Sequence, residues 1–283
     1  MLELGVGADI VRGIGAILWG ILAIALLVAL FKPKTIKGKA LSSLLVLGIF
    51  FGPMVPGAMR AYEYKQRYAK AKALFDERCK TAGEKIYRTV DGVEGVFLMK
   101  MRYDHFNLSN QYELDDPYGS DHYGDAYPAS MLWGKGGQTG DANYEWFGYK
   151  SVVSKSASDS SLIKYSLGPR QNDGSPKILK STAAVAPQFG IAYDDLSSRE
   201  DRDSWIAGSK LQIVDTKTGE VLAERIGWMF DSALGNTSGG RSPWAYAAYN
   251  ACPALPKLHD RYPKQIGQTS FFARKVLKPN LGK

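Results

Sequence analysis

The sequence has little cysteine, with 2 in 283 residues, so at most one disulfide can form within the chain. Cys79 and Cys252 lie at opposite ends of the part of the chain that follows the apolar N-terminal region. This placement predicts a single disulfide that closes a large domain in an oxidising compartment. Two unrelated buried thiols are the alternative interpretation.

The sequence also lacks a dense basic stripe and a nucleic-acid reader motif, although its formal net charge is +8. Residues 1–102 contain 16 Lys and Arg against 8 Asp and Glu, residues 103–160 contain 3 against 9, and residues 161–283 contain 17 against 11. Much of the excess positive charge therefore surrounds the apolar runs, where anionic lipid headgroups are the natural partner. We expect the lipid bilayer to be a partner and nucleic acid not to be one.

No catalytic motif is recognisable in the sequence. Gly134–Gly140 is rich in glycine but lacks the GxxxxGK[ST] order of a phosphate-binding loop. Gly235–Pro243 contains a serine near glycines but not the GxSxG of a nucleophile elbow. His259, one of 3 histidines, is followed by Asp260 without a recognisable serine or cysteine nucleophile. The sequence favours a non-enzymatic protein, leaves enzymatic activity uncertain and predicts no cofactor.

Two long apolar runs occupy the N-terminal region. Residues 13–31 contain no charge and reach the length that a helix needs to cross the hydrocarbon layer of a membrane. Residues 40–59 form a second uncharged run, in which Pro53 and Pro56 are expected to kink the last turns without preventing the span. The two runs predict two transmembrane helices.

A helical hairpin over residues 1–59 is the interpretation that we favour for these runs. A cleaved signal peptide is the alternative for the first run. Its N-terminal flank is acidic, with Glu3 and Asp9, its apolar stretch is too long, and lysines follow it directly.

Small residues recur at helical spacing in both runs. They are Gly13, Ala16 and Gly20 in the first run and Gly48 and Gly52, which form a GxxxG, in the second. Such positions allow two helix backbones to approach closely, within the hairpin or between copies of the chain. The alternative is that glycine and alanine are simply frequent in membrane helices.

The short segment between the runs predicts the orientation. It contains four lysines: Lys32, Lys34, Lys37 and Lys39. Because Lys and Arg accumulate on the cytoplasmic side, we expect this loop in the cytoplasm and both the N-terminus and the C-terminal domain outside it, in a bacterial-type inner membrane. Basic residues after the second run favour the opposite orientation: Arg60, Lys65, Arg67, Lys70 and Lys72.

Residues 60–83 contain an apolar stripe at spacings of three and four residues, with charged residues around it. This pattern predicts an amphipathic stalk helix that leaves the bilayer and ends at Gly83. The alternative is a core helix whose stripe packs against the domain.

Residues 84–283 predict an α+β domain with a mainly antiparallel sheet and short helices, without an internal repeat. Short aromatic and β-branched segments predict strands at residues 95–102 and 144–153. A β-hairpin is predicted over residues 210–226, with Gly219 supplying the positive φ of its turn.

A short helix is predicted just before this hairpin. Ser197 and Glu200 have the spacing of a capping box, and Asp201 also lies in the first turn. Gly208 is expected to stop the helix.

The segment 103–128 contains the candidate site. A tyrosine-rich binding surface is one interpretation, because tyrosine combines a large contact area with a polar tip; its residues are Tyr112, Tyr118, Tyr123 and Tyr127. A divalent-cation site is a second, with hard oxygen and imidazole ligands from Asp116, Asp121, His122 and Asp125. An ordinary solvated loop is the third, because the spacing fits no calcium-loop pattern.

These observations lead to one main hypothesis and two alternatives. The main hypothesis is a non-enzymatic envelope protein, anchored in the inner membrane, whose extracytoplasmic domain binds a protein partner or forms a homo-oligomer. The first alternative is a membrane-tethered envelope hydrolase or metal-dependent enzyme that uses the 103–128 segment. The second, which requires the reverse orientation, is a membrane sensor that faces the cytoplasm.

Overall fold

The computed structural model of the protein describes residues 5–102, 111–112, 116, 121–133, 148–171, 176–258, 262–263 and 266–280. The chain divides into two compact units, residues 1–67 and 68–283. Long apolar helices form the first unit and a mainly β-sheet structure forms the second. The α+β class predicted from the sequence is confirmed at this level.

The described residues contain seven α-helices and thirteen strands. The helices are α1 (Gly5–Phe31), α2 (Ile36–Phe51), α3 (Val55–Cys79), α4 (Ala126–Leu132), α5 (Arg199–Asp203), α6 (Pro243–Ala247) and α7 (Gln268–Val276). The strands are β1 (Gly83–Ile86), β2 (Val90–Val93), β3 (Gly95–Leu98), β4 (Ser151–Lys155), β5 (Leu162–Arg170), β6 (Pro176–Thr182), β7 (Phe189–Asp195), β8 (Ile206–Asp215), β9 (Val221–Phe230), β10 (Ala251–Cys252), β11 (Lys257–Leu258), β12 (Tyr262–Pro263) and β13 (Leu277–Pro279).

The two predicted apolar helices are present. By length and composition, the helical stretches Gly13–Phe31 and Ile36–Cys79 are each long and apolar enough to cross a membrane. The second predicted span, residues 40–59, is not one regular helix, because a 3₁₀ turn over Gly52–Met54 separates α2 from α3. Pro53 lies in this turn and has no N–H group to donate to the preceding helical turn.

The contact between α1 and α2 includes small side chains and aromatic rings, with Trp19 of α1 beside Phe50 and Phe51 of α2. Leu22 and Ala29 are buried, and the Ser42 Oγ donates a hydrogen bond to the Ala29 carbonyl at 2.7 Å. The predicted packing glycines are not part of this contact: a Cβ added at Gly13, Gly20, Gly48 or Gly52 meets nothing within 4 Å, and Ala16 is exposed. Close packing at these positions remains a prediction for association between copies only.

The predicted stalk helix corresponds to α3, which begins earlier and ends earlier than residues 60–83. It ends at Cys79, and Gly83 already belongs to β1. The last part of α3 packs on the sheet, with the rings of Phe75 and Phe230 stacked at 5.5 Å and those of Tyr68 and Phe230 at 5.8 Å. The core-helix interpretation therefore applies to this part, because its apolar stripe is buried against β9.

The main sheet of the described residues has the order β1–β9–β8–β7–β3–β4–β5–β6, with β10 also paired to β9. Most neighbours are antiparallel, as predicted, but β3 runs parallel to both β4 and β7. Of the two predicted strands, 95–102 is shorter and ends at Leu98, and 144–153 corresponds to β4, with residues 144–147 outside the described ranges.

Helices cover both faces of this sheet. Neighbouring residues of a strand point to opposite faces, and Ile206 and Ala207 of β8 lie in different apolar clusters. Ile206 packs with α3 through Phe75, whereas Ala207 packs with α6 through Trp244. Further along the sheet, α4 and α7 bury their apolar residues in the largest cluster. This packing holds α7 against β8 and β9.

The predicted hairpin is confirmed by β8 and β9, which are paired antiparallel. Gly219 has a φ of 74° in the connecting turn, the conformation that the sequence predicted for it. The capping box exists but is shifted by one residue. Ser198 is the N-cap of α5: its Oγ accepts the Asp201 N–H at 3.1 Å, and the Asp201 carboxylate accepts the Ser198 N–H at 2.9 Å.

Gly208 does not stop this helix, which ends at Asp203. It is the third residue of β8, where a Cβ would come within 2.4 Å of the Trp228 ring. Gly208 is therefore needed for the close approach of an indole ring, not for a helix end.

The predicted cysteine pairing is met in the structure. Cys79, the last residue of α3, and Cys252 of β10 lie at disulfide distance, with Cα atoms 5.7 Å apart at a sequence separation of 173. This Cα separation is typical of protein disulfides. The pair connects the end of α3 to the strand that lies beside β9.

Candidate functional site

The candidate site is a cavity of about 520 Å³ between α7 and the β1–β9 edge of the sheet, here called the α7 groove. Its volume is within the range of ligand pockets. Three strand or loop segments contribute Glu84, Arg225 and Pro256, and α7 contributes Gln268, Phe271, Phe272, Arg274 and Lys275.

The start of α7 is held by a carboxylate from a distant part of the chain. Asp121 accepts hydrogen bonds from the backbone N–H groups of Gly267 at 2.6 Å and Thr269 at 2.7 Å. These groups have no partner within the helix, and a negative charge near them is favourable. Asp121 therefore fixes the position of the helix that supplies most of the groove.

The inner wall of the groove is a buried arginine on β9. Arg225 is 6% exposed, and its Nη1 donates to the Gln268 Oε1 at 2.6 Å. Its guanidinium lies 5.9 Å from the centroid of the Phe272 ring. In the ladder, Arg225 is directly opposite Glu84 of β1.

A second arginine of the groove, Arg274, lies on α7. The Arg274 Nη1 donates to the carbonyls of Ser130 at 3.2 Å and Trp133 at 2.8 Å, and its Nη2 donates to the Ser270 Oγ at 3.1 Å. The guanidinium lies 5.6 Å from the centroid of the Phe271 ring. Burial lowers the pKa of Arg274 from its ordinary value, because desolvation disfavours the charged form. All three of these hydrogen-bond acceptors are neutral.

A salt bridge forms the outer edge of the groove. The Lys275 Nζ lies 2.7 Å from the Glu84 Oε2, and the two side chains are 55% and 32% exposed. An ion pair with this exposure contributes little to stability, about 0–1 kcal/mol. Its effect on the groove is to place one positive and one negative charge at the entrance.

The groove can bind an anionic group beside an apolar one. Its described charged lining residues are Arg225, Arg274 and Lys275 against Glu84. Phe271 supplies the aromatic surface, whereas Phe272 is buried in the core behind it. Arginine presents planar N–H donors suited to carboxylate or phosphate oxygens. Among the described residues, the lining has no serine, cysteine or histidine that would act as a nucleophile or general base.

The predicted metal ligands have other partners. The Asp116 carboxylate lies 2.6 Å from the Arg102 Nη2 and is completely buried, and the Asp125 carboxylate lies 2.6 Å from the Lys180 Nζ. The Asp121 Oδ1 also accepts the backbone N–H of His122 at 2.7 Å. Among the described residues, no group of three or more His, Cys, Asp or Glu side chains is placed to hold a metal ion.

The predicted surface tyrosines differ in exposure. Tyr127, predicted as part of the binding surface, is completely buried in the core. Tyr112 is 47% exposed, and its ring lies 3.8 Å from the guanidinium of Arg199 in α5. Tyr123 is 53% exposed just before α4. Tyr118 lies outside the described residues, as do Gly134–Gly140, His259 and Asp260.

Tyr127 lies in the core beside the buried Arg102. The Arg102 guanidinium lies 3.8 Å from the centroid of the Tyr193 ring and 5.5 Å from that of Tyr127. Burial by itself lowers the pKa of Arg102, but the charge of Asp116 and the neighbouring tyrosines raise it more, so the net direction is upward. Asp116, predicted as a metal ligand, and Tyr127, predicted as part of a binding surface, thus lie in one buried cluster around Arg102.

Sequence reasoning missed every residue of the groove. One signal was present: Arg225 lies in the predicted strand at a position whose alternate neighbours, Ala223 and Gly227, are buried. A charged residue on the inward face of a strand is rare unless it is paired or functional. A second signal was the amphipathic stretch Gln268–Val276, which forms α7.

No family model, no curated protein and no solved structure matches this chain. The function is therefore argued from the site alone.

Proposed function

We propose that the chain is a non-enzymatic envelope protein, anchored in a bacterial-type inner membrane, whose α+β domain lies outside the cytoplasm and binds a partner protein at the α7 groove. The single observation that carries the binding role is the groove itself. Two arginines and a phenylalanine ring are positioned there by β9, which is paired on both sides, and by α7, whose start is capped by Asp121. Sites on such rigid elements hold their side chains in place before a partner arrives.

Membrane anchoring is supported by the two apolar helical stretches, which have the length and composition of transmembrane helices. The proposed orientation is supported by the four lysines between them, which favour a cytoplasmic loop. The cysteine pair at disulfide distance supports the same orientation, because disulfides persist in oxidising compartments.

Cysteine labelling in intact cells tests the orientation. A membrane-impermeant maleimide is expected to label Cys79 and Cys252 only after treatment with a reductant, without disruption of the inner membrane. The matched control is a Lys34→Cys variant, whose cysteine is expected to be labelled only after the membrane is opened. Labelling of Cys79 and Cys252 without a reductant, and only in opened cells, would contradict the proposed location.

Site-specific photocrosslinking tests the binding role. A photoreactive benzoylphenylalanine at Pro256, which is exposed and lines the groove, is expected to form a light-dependent adduct with another protein in cells. The same group at Lys155, exposed on β4 outside the groove, is the control and should form no such adduct. An adduct with the mass of two chains would identify the partner as a second copy. The absence of an adduct at Pro256, or equal adducts at both positions, would contradict the proposal.

A further inference from the structure

We infer that the occupant of the α7 groove is an acidic segment of the partner protein, with a carboxylate against Arg274 and an apolar side chain against Phe271. This inference rests on the proposed binding function and specifies the chemistry of the partner.

The described lining residues include three cationic side chains and one carboxylate, and that carboxylate, Glu84, is paired with Lys275 at the outer edge. The net charge of these described residues is therefore positive. A complementary partner presents negative charge there.

Arg274 has hydrogen-bonding capacity left for a ligand. A guanidinium has five N–H donors, and Arg274 makes three hydrogen bonds, all to neutral oxygens. No carboxylate of the described residues forms an ion pair with it. Burial of this cation lowers its pKa, and a carboxylate from a partner would offset the desolvation that causes this change.

An aromatic surface lies beside the arginines. Phe271 and Phe272 lie next to the guanidinium groups of Arg274 and Arg225, at 5.6 Å and 5.9 Å. A free inorganic anion could pair with the positive charges but has no apolar part to pack against the Phe271 ring. A peptide segment places an apolar side chain within a few ångströms of its carboxylates, so it matches both features at once.

The Glu84–Lys275 salt bridge allows a sharp test, because removing either charge breaks the same bridge. If the bridge matters only for the shape of the groove, Glu84→Gln and Lys275→Gln change binding in the same direction. If charge recognition matters, the two variants change binding in opposite directions. The control is Lys155→Gln, which removes an exposed charge outside the groove.

The probe is a fluorescein-labelled dodecapeptide that alternates glutamate with phenylalanine, and fluorescence anisotropy with the detergent-solubilised full-length chain measures its binding. We expect Glu84→Gln to tighten binding and Lys275→Gln to weaken it, each by about twofold to fivefold, and Lys155→Gln to have no effect. Arg274→Gln is expected to weaken binding by about tenfold or more. A matched peptide with glutamine in place of glutamate should not bind.

Three results would overturn the inference. They are equal binding of the glutamate and glutamine peptides, a change in the same direction for both salt-bridge variants, and displacement of the peptide by millimolar inorganic phosphate, which would show a simple anion site. If the photocrosslink at Pro256 persists while the acidic peptide fails to bind, the inference falls and the proposed binding role stands. If the crosslink is also absent, the binding role itself falls.

Discussion

The Asp121 carboxylate accepts a hydrogen bond from the backbone N–H of Thr269 at 2.7 Å, across 148 residues of sequence. Together with the bond from the Gly267 N–H, this contact joins the segment before α4 to the start of α7. It gives Asp121 a role in placing the groove, where the sequence had suggested a metal ligand. The first prediction therefore distinguishes a helix-capping role of Asp121 from a metal-binding role.

Asp121→Ala is expected to lower the free energy of unfolding by about 1–3 kcal/mol, because it leaves two buried N–H groups without an acceptor. Asp121→Asn retains one acceptor oxygen and should cost less. Chemical denaturation measures both. Chelation by EDTA should leave the wild-type midpoint unchanged; a loss of stability on chelation, equal to that of Asp121→Ala, would favour the metal interpretation instead.

Removal of the cysteine pair should destabilise the second unit strongly. The two cysteines have a sequence separation of 173, for which the chain-entropy model gives about 5 kcal/mol, less if the unfolded state retains structure. Guanidinium denaturation of Cys79→Ser, Cys252→Ser and the double variant measures this. The three variants should be equally destabilised, because each removes the same bond. Wild-type protein in reductant should behave like them, and an unchanged midpoint there would contradict the prediction.

Gly208→Ala should cost about 1–3 kcal/mol of stability, because overpacking forces side chains or backbone to shift. The added Cβ would lie 2.4 Å from the Trp228 ring, so a change in tryptophan fluorescence should accompany the loss. The control is Gly57→Ala in α3, where nothing lies within 4 Å of a Cβ. Equal stability of the two variants would show that the Trp228 ring moves aside freely.

The raised pKa of Tyr127 predicts that the free energy of unfolding decreases in alkaline solution. Burial raises its pKa to about 12, whereas a tyrosine in an unfolded chain ionises near about 10. Between these two pH values the unfolded state releases the proton first, so stability falls as pH rises, by on the order of 2 kcal/mol from this group. Tyr127→Phe should reduce this slope. Parallel stability curves for the two proteins between pH 9 and about 12, measured by urea denaturation, would show that Tyr127 titrates normally.

The apolar helices allow a separate test of self-association. Gly48→Leu and Gly52→Leu add side chains where the hairpin has open space, so they should leave the α1–α2 contact intact and weaken association between copies. Ala29→Leu is the contrasting variant, because Ala29 is buried beside Ser42 and a larger side chain should separate the two helices. Sedimentation in detergent measures the size, and an unchanged size for the glycine variants would show that these glycines do not pack between copies.

Features that depend on a few neighbouring residues were predictable from the sequence. The apolar runs predicted the first helices, because the length of an uncharged run is a local property. The turn at Gly219 predicted the β8–β9 hairpin, because the positive φ of one residue sets the turn. The capping box was predicted to within one residue. The sequence could not distinguish Ser197 from Ser198, because both have a hydroxyl group. In the structure the Ser197 Oγ accepts the N–H of Gly208, and Ser198 caps the helix.

Tertiary structure alone decided the site. Residue spacing showed that acids and tyrosines are concentrated in 103–128, but spacing cannot show that Asp116 pairs with Arg102 or that Tyr127 is in the core. The groove requires β1 to pair with β9, which places Glu84 opposite Arg225. It also requires Asp121 to cap a helix that begins nearly 150 residues later. Local sequence patterns indicate burial and turn geometry over a few neighbouring residues. The contacts of the groove form only when distant segments pack together, so its chemistry could be recognised only in the tertiary structure.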